Sequence, residues 1–215
     1  MPKATYFHLP EEKKQRLMNA AMKEFTRAPF AKASISNIIQ IAEIPRGSFY
    51  QYFEDKEDIF QYMLANLGAE LGSRFREIVL RNKGALIPSL REFINYALDR
   101  SLEGQQSQLF QNIFIYMDYR SASSVSLGTK KNHQHDLRTF LMDNVDFSNL
   151  RINNERELAL FVHMAMGILM QIVSKFYFAA RSGHPMDVAE AKRTMSTSLD
   201  WLENGVAKNQ GGRHD

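Results

Sequence analysis

The residues between Pro45 and Lys56, PRGSFYQYFEDK, could do chemistry on a nucleic acid. Arg46 can donate two hydrogen bonds to a guanine edge, and Gln51 can pair with an adenine. Ser48, Tyr50 and Tyr52 carry hydroxyls able to bond phosphates and fix register. Lys56 can neutralise a phosphate beside the free N–H groups of a helix start. Gly47 has no side chain and lets a backbone or a phosphate come close. This is recognition chemistry, not catalysis. The chain has no cysteine, which excludes disulfides, thiolate metal sites and thiol nucleophiles. It shows no nucleophile motif, no phosphate-binding glycine loop and no metal-ligand spacing.

The elements that must position these groups are legible around them. Ile35, Ile38, Ile39 and Ala42 fall at i, i+3, i+4 and i+7, one stripe of a helix. Ser34 is the N-cap of that helix, and Ser34 and Ser36 at its start are further DNA-contact candidates. Glu43 and Ile44 make a turn. Pro45 suits the first turn of the next helix, where a missing N–H costs little. Ile44, Phe49 and Phe53 point inward, leaving Arg46, Ser48, Gln51 and Tyr52 outside. Two short helices and a turn of this kind form a helix-turn-helix, whose second helix enters the major groove. The same periodicity also fits a plain helical hairpin. Charge does not separate the two, since residues 1–60 hold nine Lys and Arg against eight Asp and Glu.

The separation comes from residue identities. Ile38, Ala42, Ile44, Gly47, Phe49, Tyr50, Tyr52, Phe53, Lys56 and Glu57, with Ala20, Ala21 and Phe25 upstream, stand in one characteristic order. From about Lys13 to Phe60 the chain resembles the DNA-binding domain of the TetR family of bacterial transcriptional repressors. Two positions depart from that pattern. Glu43 stands where a glycine is common, and Pro45 where a serine or threonine often caps the recognition helix. The resemblance implies an all-α fold: an N-terminal three-helix DNA-binding domain, then a larger helical ligand-binding and dimerisation domain. It implies a ligand-responsive repressor that binds a palindromic operator as a homodimer and is released by a small, mostly apolar or aromatic inducer. Release would come from a ligand that moves the long helix after the DNA module.

The rest of the chain reads as helices, with domains expected at 1–58 and 59–206 and a disordered tail at 207–215. Helices are expected at 58–78, 86–102, 107–119, 131–144, 155–182 and 186–206, with a loop at 120–129. The resemblance implies a regulatory pocket in the central helices, and the sequence supplies suitable lining: Phe110, Phe114, Met117, Phe140, Phe161, Met164 and Phe176, with Tyr116, His163 and Gln171 to orient a ligand. Leu158 to Ala180 is apolar enough to be tested as a membrane span, but His163, Gln171, Ser174 and Lys175 interrupt it. Burial against a second subunit explains it better. Because the family's last two long helices form a four-helix bundle with their mates, the resemblance implies an interface at Val162, Met166, Met170, Val173, Tyr177, Met195, Leu199 and Leu202.

Several other readings carry less. His133 and His135, with Asp136, form an HxH pair whose two positions face different ways on a helix, so no metal is assigned. The start MPKATYF and the segment PRGSFYQYFED are also similar to haem-responsive members of the family; that similarity lies in the DNA module and transfers no ligand, so a haem-responsive repressor is the alternative, with His163 the first axial residue to test, and no cofactor is assigned. An all-α enzyme would need acid–base groups arranged for turnover. A purely architectural DNA binder would not need such long apolar helices. The first seventeen residues lack an apolar signal core, so a cytoplasmic protein is expected. The net charge of +3 and pI near 9.0 are compatible with nucleic acid and select nothing further.

Overall fold

The computed structural model describes residues 1–104, 106–116 and 131–205. The expected loop at 120–129, Met117 and the tail at 207–215 lie outside the described residues, as do the side chains of Tyr116, His133, His135 and Asp136. Every regular element among the described residues is helical: α1 Ala4–Phe7, α2 Glu11–Arg27, a 3-10 turn Phe30–Lys32, α3 Ile35–Ala42, α4 Arg46–Tyr52, α5 Lys56–Arg81, α6 Leu86–Leu102, α7 Ser107–Tyr116, α8 Lys131–Asn144, α9 Glu155–Arg181 and α10 Val188–Asn204. The all-α fold expected from the sequence is the fold found. The four-residue α1 was not expected, because it has one buried side chain, Tyr6, and no periodicity to reveal it.

Helix starts follow from local capping. Ser34 Oγ accepts from the Ser36 N–H at 3.2 Å. Asp55 Oδ1 accepts from the Asp58 N–H at 2.8 Å, and Asp58 Oδ2 returns a bond to the Glu54 N–H at 3.1 Å, a reciprocal box at the start of α5. Asn154 Oδ1 accepts from the Glu157 N–H at 3.0 Å, and Glu157 Oε2 accepts from the Asn153 N–H at 2.7 Å, the same device on α9. That backbone bond holds the Glu157 carboxyl below its ordinary value.

The chain packs as two compact units: Met1–Glu77 with Glu103–Asp143, and Ile78–Leu102 with Asn144–Asp215. The first unit is built on Leu17, Ala21, Phe25, Ile38, Phe49 and Phe60, all buried, and α7 adds Leu109 and Ile113 to the same core. Asn112 is buried on α7 and donates to Phe25 O at 2.9 Å and Thr26 O at 2.8 Å, carbonyls of the last turn of α2. In the second unit α6, α9 and α10 pack on one another around Leu90, Phe93, Ile94, Val173 and Met195. Arg91 on α6 meets Asp200 at 2.7 Å and Glu203 at 2.6 Å on α10. The Tyr177 hydroxyl on α9 donates to Ser101 O on α6, and burial raises its pKa.

Candidate nucleic-acid interface

The interface is built on a buried carboxylate. Glu24, in the last turns of α2, has no exposure. Its oxygens accept from Arg27 Nε at 2.8 Å and Nη2 at 2.7 Å, and from the Ser34 N–H at 2.8 Å. Asn37 Nδ2 adds 3.2 Å bonds to both oxygens. The Arg27 bonds, with help from Ser34 and Asn37, hold the carboxyl below its ordinary range despite burial. One side chain thus fixes the end of α2 to the first turn of α3. A buried carboxylate ten residues before a serine cap has no periodic signature, so the sequence gives no warning of it.

In the turn after α3, Glu43 stands at a position whose backbone favours the glycine common there. Its backbone is left-handed, at φ 53° and ψ 46°, and the Ile44 N–H closes back on Ile39 O at 3.2 Å. Pro45 then stands as the N-cap of α4 at φ −60° and ψ 144°, one position before the first turn expected for it, with no side-chain cap bond. Phe49 and Phe53 are fully buried and Ile44 packs partly against the same core. Arg46, Gly47, Tyr50 and Gln51 are left exposed with Pro45 beside them, and Ser48 is half-buried. Ser36 is exposed and Ser34 half-buried at the adjacent start of α3. Tyr52 is half-buried and packs on the core. A methyl at Gly47 would meet nothing within 4 Å, so close approach from outside is open there.

Lys56, expected to hold a phosphate, is engaged within the chain. Its ammonium donates to Phe30 O at 2.7 Å and Ala33 O at 2.9 Å and sits 4.6 Å from the centre of the Phe30 ring. The lysine ties the α2–α3 connection to the start of α5. Its carbonyl partners lie 23 and 26 residues away, which no local spacing reveals.

The ligand and interface residues read from the sequence fall in several settings. Phe110 packs on the core of the DNA module, and Phe140 lies under the Arg76 guanidinium at 5.7 Å. Phe114, Phe161 and Phe176 are half-buried, Phe176 edge-on to Tyr177. His163, Met164 and Gln171 lie exposed on α9, because the helix turns its opposite side to α6 and α10. The crevice between α6, α9 and α10, which includes Phe161, has a volume of about 10 Å³, too small for a ligand. Among the described residues, no group of three or more His, Asp or Glu could hold a metal. Val173, Tyr177, Met195 and Leu199 are buried within the chain, and Val162, Met166, Met170 and Leu202 are half-buried. The exposed apolar stripe of α9 runs through Leu160, Met164 and Phe178, with Trp201 exposed on α10. Over 155–180 this helix is long and apolar enough to cross a membrane by length and composition, and 28% of that stretch's most apolar window is buried.

Residues 17–63 match the family "Bacterial regulatory proteins, tetR family", and residues 86–206 match "Tetracyclin repressor-like, C-terminal domain". The HTH-type transcriptional regulator AcrR of Shigella flexneri is 23% identical over 106 residues, 49% of each chain. The HTH-type transcriptional repressor DhaR of Mycobacterium sp. (strain GP1) is 30% identical over 94 residues, 43% of this chain and 46% of the relative. The chain therefore spans about half the length of the curated relatives it matches. The crystal structure of a tetR-family transcriptional regulator from Streptomyces coelicolor aligns with a TM-score of 0.60 at 21% identity, covering 90% of this chain and 81% of that one. With its helix-turn-helix and its C-terminal helices both matched, the chain belongs to the TetR family of transcriptional regulators.

Proposed function

We propose that the protein is a ligand-responsive repressor that binds a palindromic operator as a homodimer and is released by a small apolar or aromatic inducer. The observation that carries the DNA contact is α4, which buries Phe49, with Phe53 buried at its C-cap, and leaves Arg46, Gly47, Tyr50 and Gln51 exposed along a helix of seven residues. Arg46, at its first turn, reads a guanine, Gln51 an adenine, and Ser34, Ser36, Ser48, Tyr50 and Tyr52 hold the phosphates. The dimer forms through the exposed faces of α9 and α10, with Leu160, Met164, Phe178 and Trp201 at its centre. Repression is supported by the DhaR relative, a transcriptional repressor.

Selection of bound duplexes from a random pool tests this reading. A two-fold symmetric consensus is expected, with half-site centres one helical turn apart, about 34 Å, or a multiple of it. Arg46→Ala should lose about 1–3 kcal/mol on the selected duplex and relax one base position in the consensus. Equal loss on selected and scrambled duplexes would remove Arg46 from the base readers. A screen of small molecules for release of the selected duplex then identifies the inducer class.

A further inference from the structure

α4 is too short to persist on its own, since isolated helices below about 12 residues are marginal in water. The carbonyls of its last four residues, Phe49 to Tyr52, have no later turn of the helix to bond. Phe49 O is taken by the Phe53 N–H at 2.9 Å. The other three are met from the chain's first residues. Lys3 Nζ donates to Tyr50 O at 2.8 Å, Thr5 Oγ1 donates to Gln51 O, and the Lys3 N–H donates to Tyr52 O at 2.8 Å. Two residues therefore close every carbonyl that the helix leaves open.

The reach is held by packing. Tyr6 is 2% exposed and sits 5.0 Å from the Phe53 ring and 5.2 Å from the Tyr62 ring. Burial and the neighbouring Tyr62 raise its pKa, so the phenol stays neutral. The Tyr6 N–H bonds Lys3 O at 2.9 Å and the Leu9 N–H bonds Tyr6 O at 3.1 Å, which shapes the arm around that anchor. The Lys3 ammonium also places positive charge at the negative end of the α4 dipole. The carbonyls it and Thr5 hold belong to Tyr50 and Gln51, two of the residues offered to DNA.

We propose that Lys3 and Thr5 are positioning residues for DNA reading: the N-terminal arm caps the recognition helix and fixes the direction of its exposed side chains. This rests on α4 being the helix that reads DNA. The arm contributes geometry and not a phosphate contact, so its removal lowers specificity without lowering the electrostatic part of binding.

The test uses Lys3→Met, Thr5→Val and the double variant in the full chain. Two readouts are needed: amide hydrogen exchange of α4, and binding to the selected and scrambled duplexes over a range of salt. The double variant should speed α4 exchange by about tenfold, with α9 unchanged. Affinity for the selected duplex should fall about tenfold, while scrambled binding and the salt slope stay as they were. Lys3→Arg should leave both readouts as in the unaltered chain. Unchanged α4 exchange would overturn the cap. Equal loss on both duplexes, with the salt slope reduced by about 1, would overturn the positioning role and make Lys3 a phosphate contact. If the unaltered chain selects no sequence, the DNA-reading premise falls and the positioning role with it, while the exchange data still decide whether the arm caps α4.

Discussion

Glu24 is a fully buried carboxylate whose oxygens are met by Arg27, Ser34 and Asn37. Desolvation alone would raise its pKa, and the bonds win, because the value is lowered. A folded pKa below the unfolded one, about 4.3, means the stabilisation is complete above that value and is lost as pH falls through the folded one. Stability should therefore decline with acid from about pH 5 downward. Glu24→Gln should remove that part of the decline and cost about 2–4 kcal/mol at neutral pH, by leaving Arg27 and the Ser34 N–H poorly matched. Urea unfolding at several pH values checks both; an unchanged acid limb would show that other carboxylates govern it. Lys56 makes the companion case. With two of its three N–H donors on Phe30 O and Ala33 O, Lys56→Ala should cost about 1–3 kcal/mol of stability and leave the salt slope of DNA binding unchanged. A slope reduced by about 1 would return Lys56 to the phosphate role. Residues such as Phe49 and Phe53 were legible because burial follows a helical period. Glu24 and Lys56 were not, because their partners meet them only through tertiary packing.

At the scale of elements, glycines show where backbone geometry decides. Gly84 ends α5 at φ 81°, with its N–H on Val79 O at 2.9 Å, and its own carbonyl accepts from the Asp146 N–H at 2.9 Å. A methyl there would lie 2.3 Å from Asn144 O, a backbone atom that cannot swing aside. Gly84→Ala should therefore cost about 2–4 kcal/mol, combining left-handed strain with overlap. Gly47 is the converse. It lies inside α4 with open space around it, so Gly47→Ala should stabilise the fold by about 0.5–1 kcal/mol through helix propensity. The same methyl would stand between α4 and DNA and weaken operator binding. Thermal unfolding and duplex titration of the pair separate the effects, and a destabilised Gly47→Ala would contradict the open geometry. Helix positions read from the period agree closely for α6 and α8, found at Leu86–Leu102 and Lys131–Asn144, because the period lies in the segment itself. The arm α1 escaped that reading because its one anchor, Tyr6, is held by Phe53 and Tyr62 from distant elements.

For the whole molecule the informative helix is α9. Its sequence is apolar on nearly all sides, and periodicity cannot say which side the chain itself covers. Val173 and Tyr177 turn to the chain's own core, while Leu160, Met164 and Phe178 recur at i, i+4 and i+18 on the uncovered side. An exposed apolar row of this length, with Trp201 exposed on α10, marks an association surface. In the proposed dimer a two-fold partner would cover it with its own copy, so each substitution would act twice. Phe178→Glu together with Trp201→Glu should place four charges in the contact and shift the chain to monomer at micromolar concentration. The fold of each chain should survive, because both side chains are exposed, at 72% and 57%. Met195→Glu is the contrasting variant: Met195 is fully buried, so it should unfold the C-terminal helices rather than separate subunits. Sedimentation with circular dichroism distinguishes the outcomes. Loss of operator affinity in the folded monomer, with non-specific binding retained, would tie the paired helices to palindrome reading. A Phe178→Glu, Trp201→Glu protein that still sediments as a dimer would move the interface off this face.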